Sequence, residues 1–229
     1  MRCAGNTKRH KTQSTEDMYT TTDYFKILTH DMHSITMSVI DAQNLPASKV
    51  INLMYYDVNG LYFIMYKTHP FYNRLHNKPY VSITGITTED NPLGQKSIDM
   101  TGAIRNIGSE KLDEIFNRNP YLEQVCPDPK SRRNLFDVFC IYRGQGVYLD
   151  QSTWSNKQQH FSFGGKRSEQ YGYYITESCD GCGLCESICP QRGIMEGSPF
   201  KINQTCCLHC GNCYAICPND SIIRRHGDD

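Results

Sequence analysis

The chain has 229 residues, 38% of them hydrophobic, with 24 Lys plus Arg balanced by 24 Asp plus Glu. That apolar content suits one large domain, or a medium domain with a small appendage, and zero formal charge excludes the electrostatic profile of a nucleic-acid or anionic-membrane binder. The amino end, MRCAGNTKRHKTQSTEDMY, lacks the apolar run of a secretory signal, and LYFIMY, the longest strongly apolar stretch, is too short to span a bilayer; a soluble, cytoplasmic protein is expected.

In chain order, residues 1–16 read as a flexible segment and residues 17–163 as a domain. STEDMYTTTDYFKILTHD predicts a helix capped by Ser14 or Thr15. SITMSVID and KVINLMYY predict strands, DVNG a turn, and LYFIMY a buried strand. KTHPFYNRLHNKP predicts a short helix capped by Thr68, followed by the strand YVSITGIT. Then come KSIDMTGAIRNIG, a capped helix SEKLDEIFNRN, and two strands, LFDVFCIYR and GVYLDQSTW, joined by GQG as a hairpin turn. Six or seven strands with few helices make this part mainly β with helices (α+β) and point to an antiparallel barrel. SFGGKRSEQYGYY, rich in Gly, Ser and charge, predicts a linker over 164–174.

Nine of the 12 cysteines fall between Cys179 and Cys217, in a tail where residues 176–229 hold 4 basic and 7 acidic residues. Two runs, CDGCGLCESICP (179–190) and CLHCGNCYAICP (207–218), share the form CxxCxxCxxxCP. Three cysteines at spacing three ring one tight loop; the fourth sits on a short helix leading away and cannot easily close the same cage. Gly183 matches Gly211, Ile188 matches Ile216, and Ile194 matches Ile222, so the repeat includes packing residues and predicts a pseudo-twofold module over 175–229. Zinc favours two separated ligand pairs, and a disulfide knot needs an oxidising compartment; both fit worse than two [4Fe-4S] clusters. Cys206 reads as a bystander to Cys207, His209 as a surface residue near the cluster, and Cys3, Cys126 and Cys140 as ordinary thiols.

On these runs, residues 175–225 resemble a bacterial-type two-[4Fe-4S] ferredoxin domain, whose fourth cysteine ligates the other cluster. The resemblance implies Cys179, Cys182, Cys185 and Cys217 around one cluster, and Cys207, Cys210, Cys213 and Cys189 around the second. It implies one-electron transfer, with any substrate chemistry sought elsewhere.

The order of elements over residues 17–163, and above all GLYFIMYKTHPFYNRLHNKPYVSITG, resembles the FMN-binding split barrels of the pyridoxamine 5'-phosphate oxidase type, including the nitroimidazole-resistance and general-stress branches. FMN needs cations or N–H donors for its phosphate and an apolar slot for its ring. Lys67 and Thr68, followed by the helix carrying Phe71 and Tyr72, are candidates for the phosphate end. By resemblance, Lys49 occupies a place where relatives direct an arginine at the phosphate, the backbone of Val50, Ile51 and Asn52 edges the ring, and Ser97 stands where the oxidases hold a ring-contacting glutamine. His30, His33, His69 and His76 leave haem as a lesser alternative; Tyr19, Tyr24, Tyr55, Tyr56 and Tyr62 read as packing. The resemblance implies a homodimer with FMN between subunits. The expected function is an FMN-dependent iron-sulfur oxidoreductase of an anaerobe, linking a ferredoxin-like partner to a small organic acceptor, a nitroaromatic by analogy to one branch. No proton donor is nominated, and the alternative is an electron carrier whose barrel serves dimerisation or docking.

Overall fold

The structure, a computed structural model, describes residues 19–88, 94–151, 157–166 and 171–226. Its first helix, α1 (Thr21–Lys26), is capped by Thr20, not by Ser14 or Thr15, which lie outside the described residues. The Thr20 hydroxyl accepts from the Asp23 N–H at 3.3 Å, and the Asp23 carboxylate accepts from the Thr20 N–H at 2.8 Å, a reciprocal capping box. The helix continues as a wider π-helical stretch over Ile27–Met32 that buries Ile27, Leu28 and Met32.

Eight strands then form one antiparallel sheet: β1 (Ser34–Ile40), β2 (Pro46–Asn52), β3 (Tyr55–Asp57), β4 (Gly60–Tyr66), β5 (Tyr80–Ile86), β6 (Lys96–Asn106), β7 (Phe136–Asp150) and β8 (Lys157–Phe163). The order is β2-β1-β5-β6-β7-β4-β3, with β8 also on β7. Because β2 runs into β3 through Leu53 and Met54, one stretch of chain borders β1 at one end of the sheet and β4 at the other. Leu53 N–H donates to the His33 carbonyl at 2.9 Å, and Met54 N–H to the Tyr62 carbonyl at 3.0 Å, so the sheet curls into a split barrel.

Alternating burial along β1 and β5 places Ile35, Met37, Val39, Val81 and Ile83 inside, where they meet Phe63 and Phe139 with ring centroids 5.5 Å apart. A second apolar cluster lies where α3 (Leu112–Arg118) covers the sheet with Leu112, Ile115 and Phe116. Two helices unforeseen in the sequence, α4 (Leu122–Val125) and α5 (Pro129–Leu135), lead back to β7.

Two expected starts move by a residue or more. The helix after β4, α2 (Pro70–Asn77), is capped by His69, whose Nδ1 accepts from the Phe71 N–H at 3.0 Å, with Pro70 opening the first turn; Thr68 is not the cap. α3 begins only after Lys111, which has a left-handed φ of 59° and gives no side-chain cap.

The expected hairpin at GQG does not form: β7 is a single 15-residue strand. Gly144 and Gly146 are there for close sheet packing. A Cβ on Gly144 would stand 2.4 Å from the Thr101 carbonyl oxygen, and one on Gly146 would stand 2.6 Å from Met100 Cβ. The glycines let β7 press on β6, opposite Gly102 and next to a register shift at Ala103/Ile104. β7 thus holds β6 along one edge and, on the other, β4 in its first half and β8 in its second.

The carboxyl-terminal module begins inside the stretch expected to be linker. β9 (Tyr171–Ile175) pairs with β12 (Ile222–His226), and β10 (Ile194–Met195) with β11 (Lys201–Ile202). Two helices of five residues, α6 (Leu184–Ile188) and α7 (Asn212–Ile216), complete it. Among the described residues no helix is long and apolar enough to cross a membrane.

Candidate functional site

The two cysteine runs fold identically. Gly183 caps α6 with φ 74°, ψ −3°, and Gly211 caps α7 with φ 80°, ψ −3°, a left-handed turn that favours glycine. Cys189 and Cys217 end the helices with the same φ −68° and ψ 115°. Their sulfurs are also held alike: Gly193 N–H donates to Cys189 Sγ at 3.3 Å, and Ser221 N–H to Cys217 Sγ at 3.3 Å. N–H donors aimed at sulfur stabilise thiolate charge and tune a cluster's potential.

Two small cavities open inside the module, and each draws cysteines from both runs. One is lined by Cys179, Cys182, Cys185 and Cys217, the other by Cys189, Cys207, Cys210 and Cys213. Each cavity is walled by apolar residues, Phe200 and Ile222 for the first, Tyr173 and Ile194 for the second. None of the described cysteines is in a disulfide. Burial pushes the Cys185 and Cys207 thiols up, and Cys213 up to about 11, so in the iron-free chain they stay protonated at neutral pH and metal must displace those protons. Four sulfurs around an apolar cavity, with amides donating to them, are the donor set that a cubane needs.

Cys206 is buried, its thiol 3.7 Å from the Asn203 carbonyl, and it lines neither cavity. His209 sits within the second loop at φ 53°, its Nε2 buried without a hydrogen-bond partner among the described residues.

A separate cleft of about 380 Å³ opens where the barrel is split, between β2 and β4. It gathers Lys49, Val50, Ile51 and Asn52 as one wall. Opposite them stand His69, singled out in the sequence only for the haem alternative, and residues not singled out there, among them Met65, Tyr66, Tyr121 and Phe136. The His69-Pro70 pair was a readable cap signal for His69; Tyr121 arrives through α4, which left no periodic trace. Tyr121 Oη lies 3.2 Å from His33 Nε2, and burial raises its pKa although Asn52 hydrogen-bonds to it.

The remaining flavin candidates do not line this cleft. Lys67 Nζ pairs with Asp137 at 3.2 Å and donates to the Arg133 carbonyl at 2.9 Å, so its charge is already answered. Phe71 is buried in the barrel core, and Tyr72 donates to the Asp137 carboxylate at 2.6 Å. Thr68 is exposed in the turn before α2. Ser97 pairs with Ile86 and Leu149 on other strands, because the register of β6 carries it away from β2 and β4.

The family described as a 4Fe-4S dicluster domain matches residues 171–218. A sequence search of curated proteins returns no match. Similar solved structures include a NimC/NimA family protein from Clostridium acetobutylicum (16% identity, 61% of this chain and 94% of that one, TM-score 0.49). A pyridoxamine 5'-phosphate oxidase-related, FMN-binding protein from Nostoc punctiforme follows at 9% identity, 64% and 94% coverage and TM-score 0.41. A haem-binding protein from Mycobacterium smegmatis shows 8% identity, 64% and 59% coverage and TM-score 0.49. By its strand pairing and its matched cysteine module, the chain joins an antiparallel split barrel to a 4Fe-4S dicluster domain, an iron-sulfur redox protein.

Proposed function

We propose that this protein is an FMN-dependent iron-sulfur oxidoreductase in which the ferredoxin-like module carries Cys179, Cys182, Cys185 and Cys217 on one cluster and Cys189, Cys207, Cys210 and Cys213 on the other. The observation that carries the reading is the pairing of two crosswise cysteine cavities with a cleft at the barrel's split, in one chain. When bound, clusters supply single-electron transfer and flavin supplies exchange between one- and two-electron chemistry. In this reading Lys49 meets the FMN phosphate, the β2 backbone from Val50 to Asn52 flanks the ring, and Met65 and Phe136 give the apolar floor. Val50 is 64% exposed on the cleft's open side, which supports a homodimer whose second subunit closes it. A ferredoxin-like partner and a small organic acceptor complete the scheme, with a nitroaromatic as one acceptor to try.

The test is anaerobic purification followed by a visible spectrum, iron and sulfide assay, and flavin release by heat. Iron-sulfur absorbance together with released FMN is the expected result. A spectrum with the iron-sulfur shoulder and no flavin would leave an electron carrier with a docking barrel, and a sharp Soret band would mean haem. Lys49→Ala should weaken FMN retention by tenfold or more, on the order of the 1.5–3 kcal/mol of a charged hydrogen bond, while Lys67→Ala, whose partner is Asp137, should change it little. Equal flavin occupancy in Lys49→Ala would overturn the phosphate assignment.

A further inference from the structure

A second cleft, of about 240 Å³, lies on the outer face of the barrel at the junction with the module. Its floor is made of outward-facing residues from adjacent strands, Asp99 and Thr101 of β6, Gln145 and Val147 of β7 and His160 of β8, and Tyr171 at the start of β9 forms a wall. The strand register sets Asp99, Val147 and His160 in one row and Thr101 beside Gln145 in the next. No lysine or arginine lines this cleft among the described residues, and Asp99 places a carboxylate in it. An anionic or phosphate-bearing ligand is therefore disfavoured. Apolar surface exceeds polar in the lining, and the aromatic wall of Tyr171 suits a flat ring.

This cleft, unlike the one at β2 and β4, touches the cysteine module. Gln158 N–H on β8 donates to the carbonyl of Thr205, two residues before Cys207, at 3.0 Å. After Tyr171 the chain passes Gly172, where a Cβ would stand 2.9 Å from His209 Nε2, and then Tyr173, whose hydroxyl lies 2.9 Å from where a Cβ on Gly211 would be. Three consecutive residues thus lead from the cleft wall to the loop of the second cysteine run.

We propose that this junction cleft binds a small, planar, uncharged or cationic electron acceptor, which draws its electrons from the cluster held by Cys189, Cys207, Cys210 and Cys213. The proposal rests on the iron-sulfur reading above and is independent of whether FMN occupies the other cleft. For a quinone the balance is two electrons, passed singly from the reduced module, and two protons, taken from water at the open mouth. Both carbonyl oxygens become hydroxyls, and each electron lost leaves one cluster oxidised.

Menadione, a neutral naphthoquinone, is a suitable probe, tested on the full chain purified anaerobically with its clusters. Calorimetry on the oxidised protein should show menadione binding that saturating FMN does not displace. Val147→Trp, which fills the cleft from an outward-facing strand position, should weaken that binding about tenfold or more. It should slow reoxidation of the dithionite-reduced clusters by menadione similarly, with iron and sulfide content unchanged. Thr101→Trp, from the next row, repeats the test should Val147→Trp lose iron. Wild-type affinity in a variant that keeps its iron, or displacement of menadione by FMN, would overturn the proposal.

Discussion

Asp137 is a carboxylate that burial would push toward neutrality, yet three donors hold it ionised. Asn106 donates to it at 2.8 Å, Tyr72 at 2.6 Å, and Lys67 pairs with it at 3.2 Å; together they outweigh burial and leave its pKa below the ordinary value. A carboxyl depressed on folding stabilises the native state above its unfolded pKa, near 3.9, and loses that contribution as pH falls through the lower native value. Stability measured by urea unfolding should therefore fall below about pH 4, and Asp137→Asn should flatten that acid limb while costing about 1–3 kcal/mol at pH 7. At the cysteines, Cys213→Ser should lower iron from about eight to about four atoms per chain, because a cubane missing a thiolate corner is lost, whereas Cys206→Ser should retain it all. Full iron in Cys213→Ser would contradict the crosswise ligand sets. The spelling of the two runs named in advance the eight cysteines that the structure gathers at two cavities. Ser97 and Lys67 were not legible as site residues in the same way, since strand register decides the first and an acidic partner 70 residues downstream decides the second.

Among the elements, β1, β4 and β5 followed from apolar patterning and turn residues, which a sheet dictates locally, whereas KVINLMYY, expected as one strand, is divided at Leu53 and Met54 into β2 and β3, where the chain passes from one end of the sheet to the other. Nor did β7 follow, because Gly-Gln-Gly has the composition of a turn and only the approach of β6 shows that the glycines serve contact. Gly144→Ala should cost about 1–3 kcal/mol, through overpacking against the Thr101 carbonyl, and appear as a lower denaturation midpoint. An unchanged midpoint would mean that β6 and β7 separate freely there. β8 escaped notice because KQQHFSF alternates weakly, and α4 escaped because four residues leave no helical period. α5 had a readable start in Asp128-Pro129: the Asp128 carboxylate accepts from the N–H groups of Lys130 and Ser131 at 3.1 Å.

For the whole molecule, the barrel and the module differ in what stabilises them. The barrel has an eight-stranded sheet around a continuous apolar core. The module has two two-stranded sheets, two five-residue helices and a small cluster of buried side chains, too little to be stable without further cross-links. Stripping iron should therefore raise amide exchange across 171–226 while residues of β1, β5 and β6 stay protected, read by hydrogen exchange with mass spectrometry. Protection that persists in the module would show that it folds on its side chains alone. The mixed origin of each cavity also bears on biogenesis. The first cavity is completed by Cys217 of the second run, and the second draws Cys189 from the first. A nascent chain halted after the first run thus offers three thiols to the first nest and one to the second, so neither nest can be finished before the second run has been made.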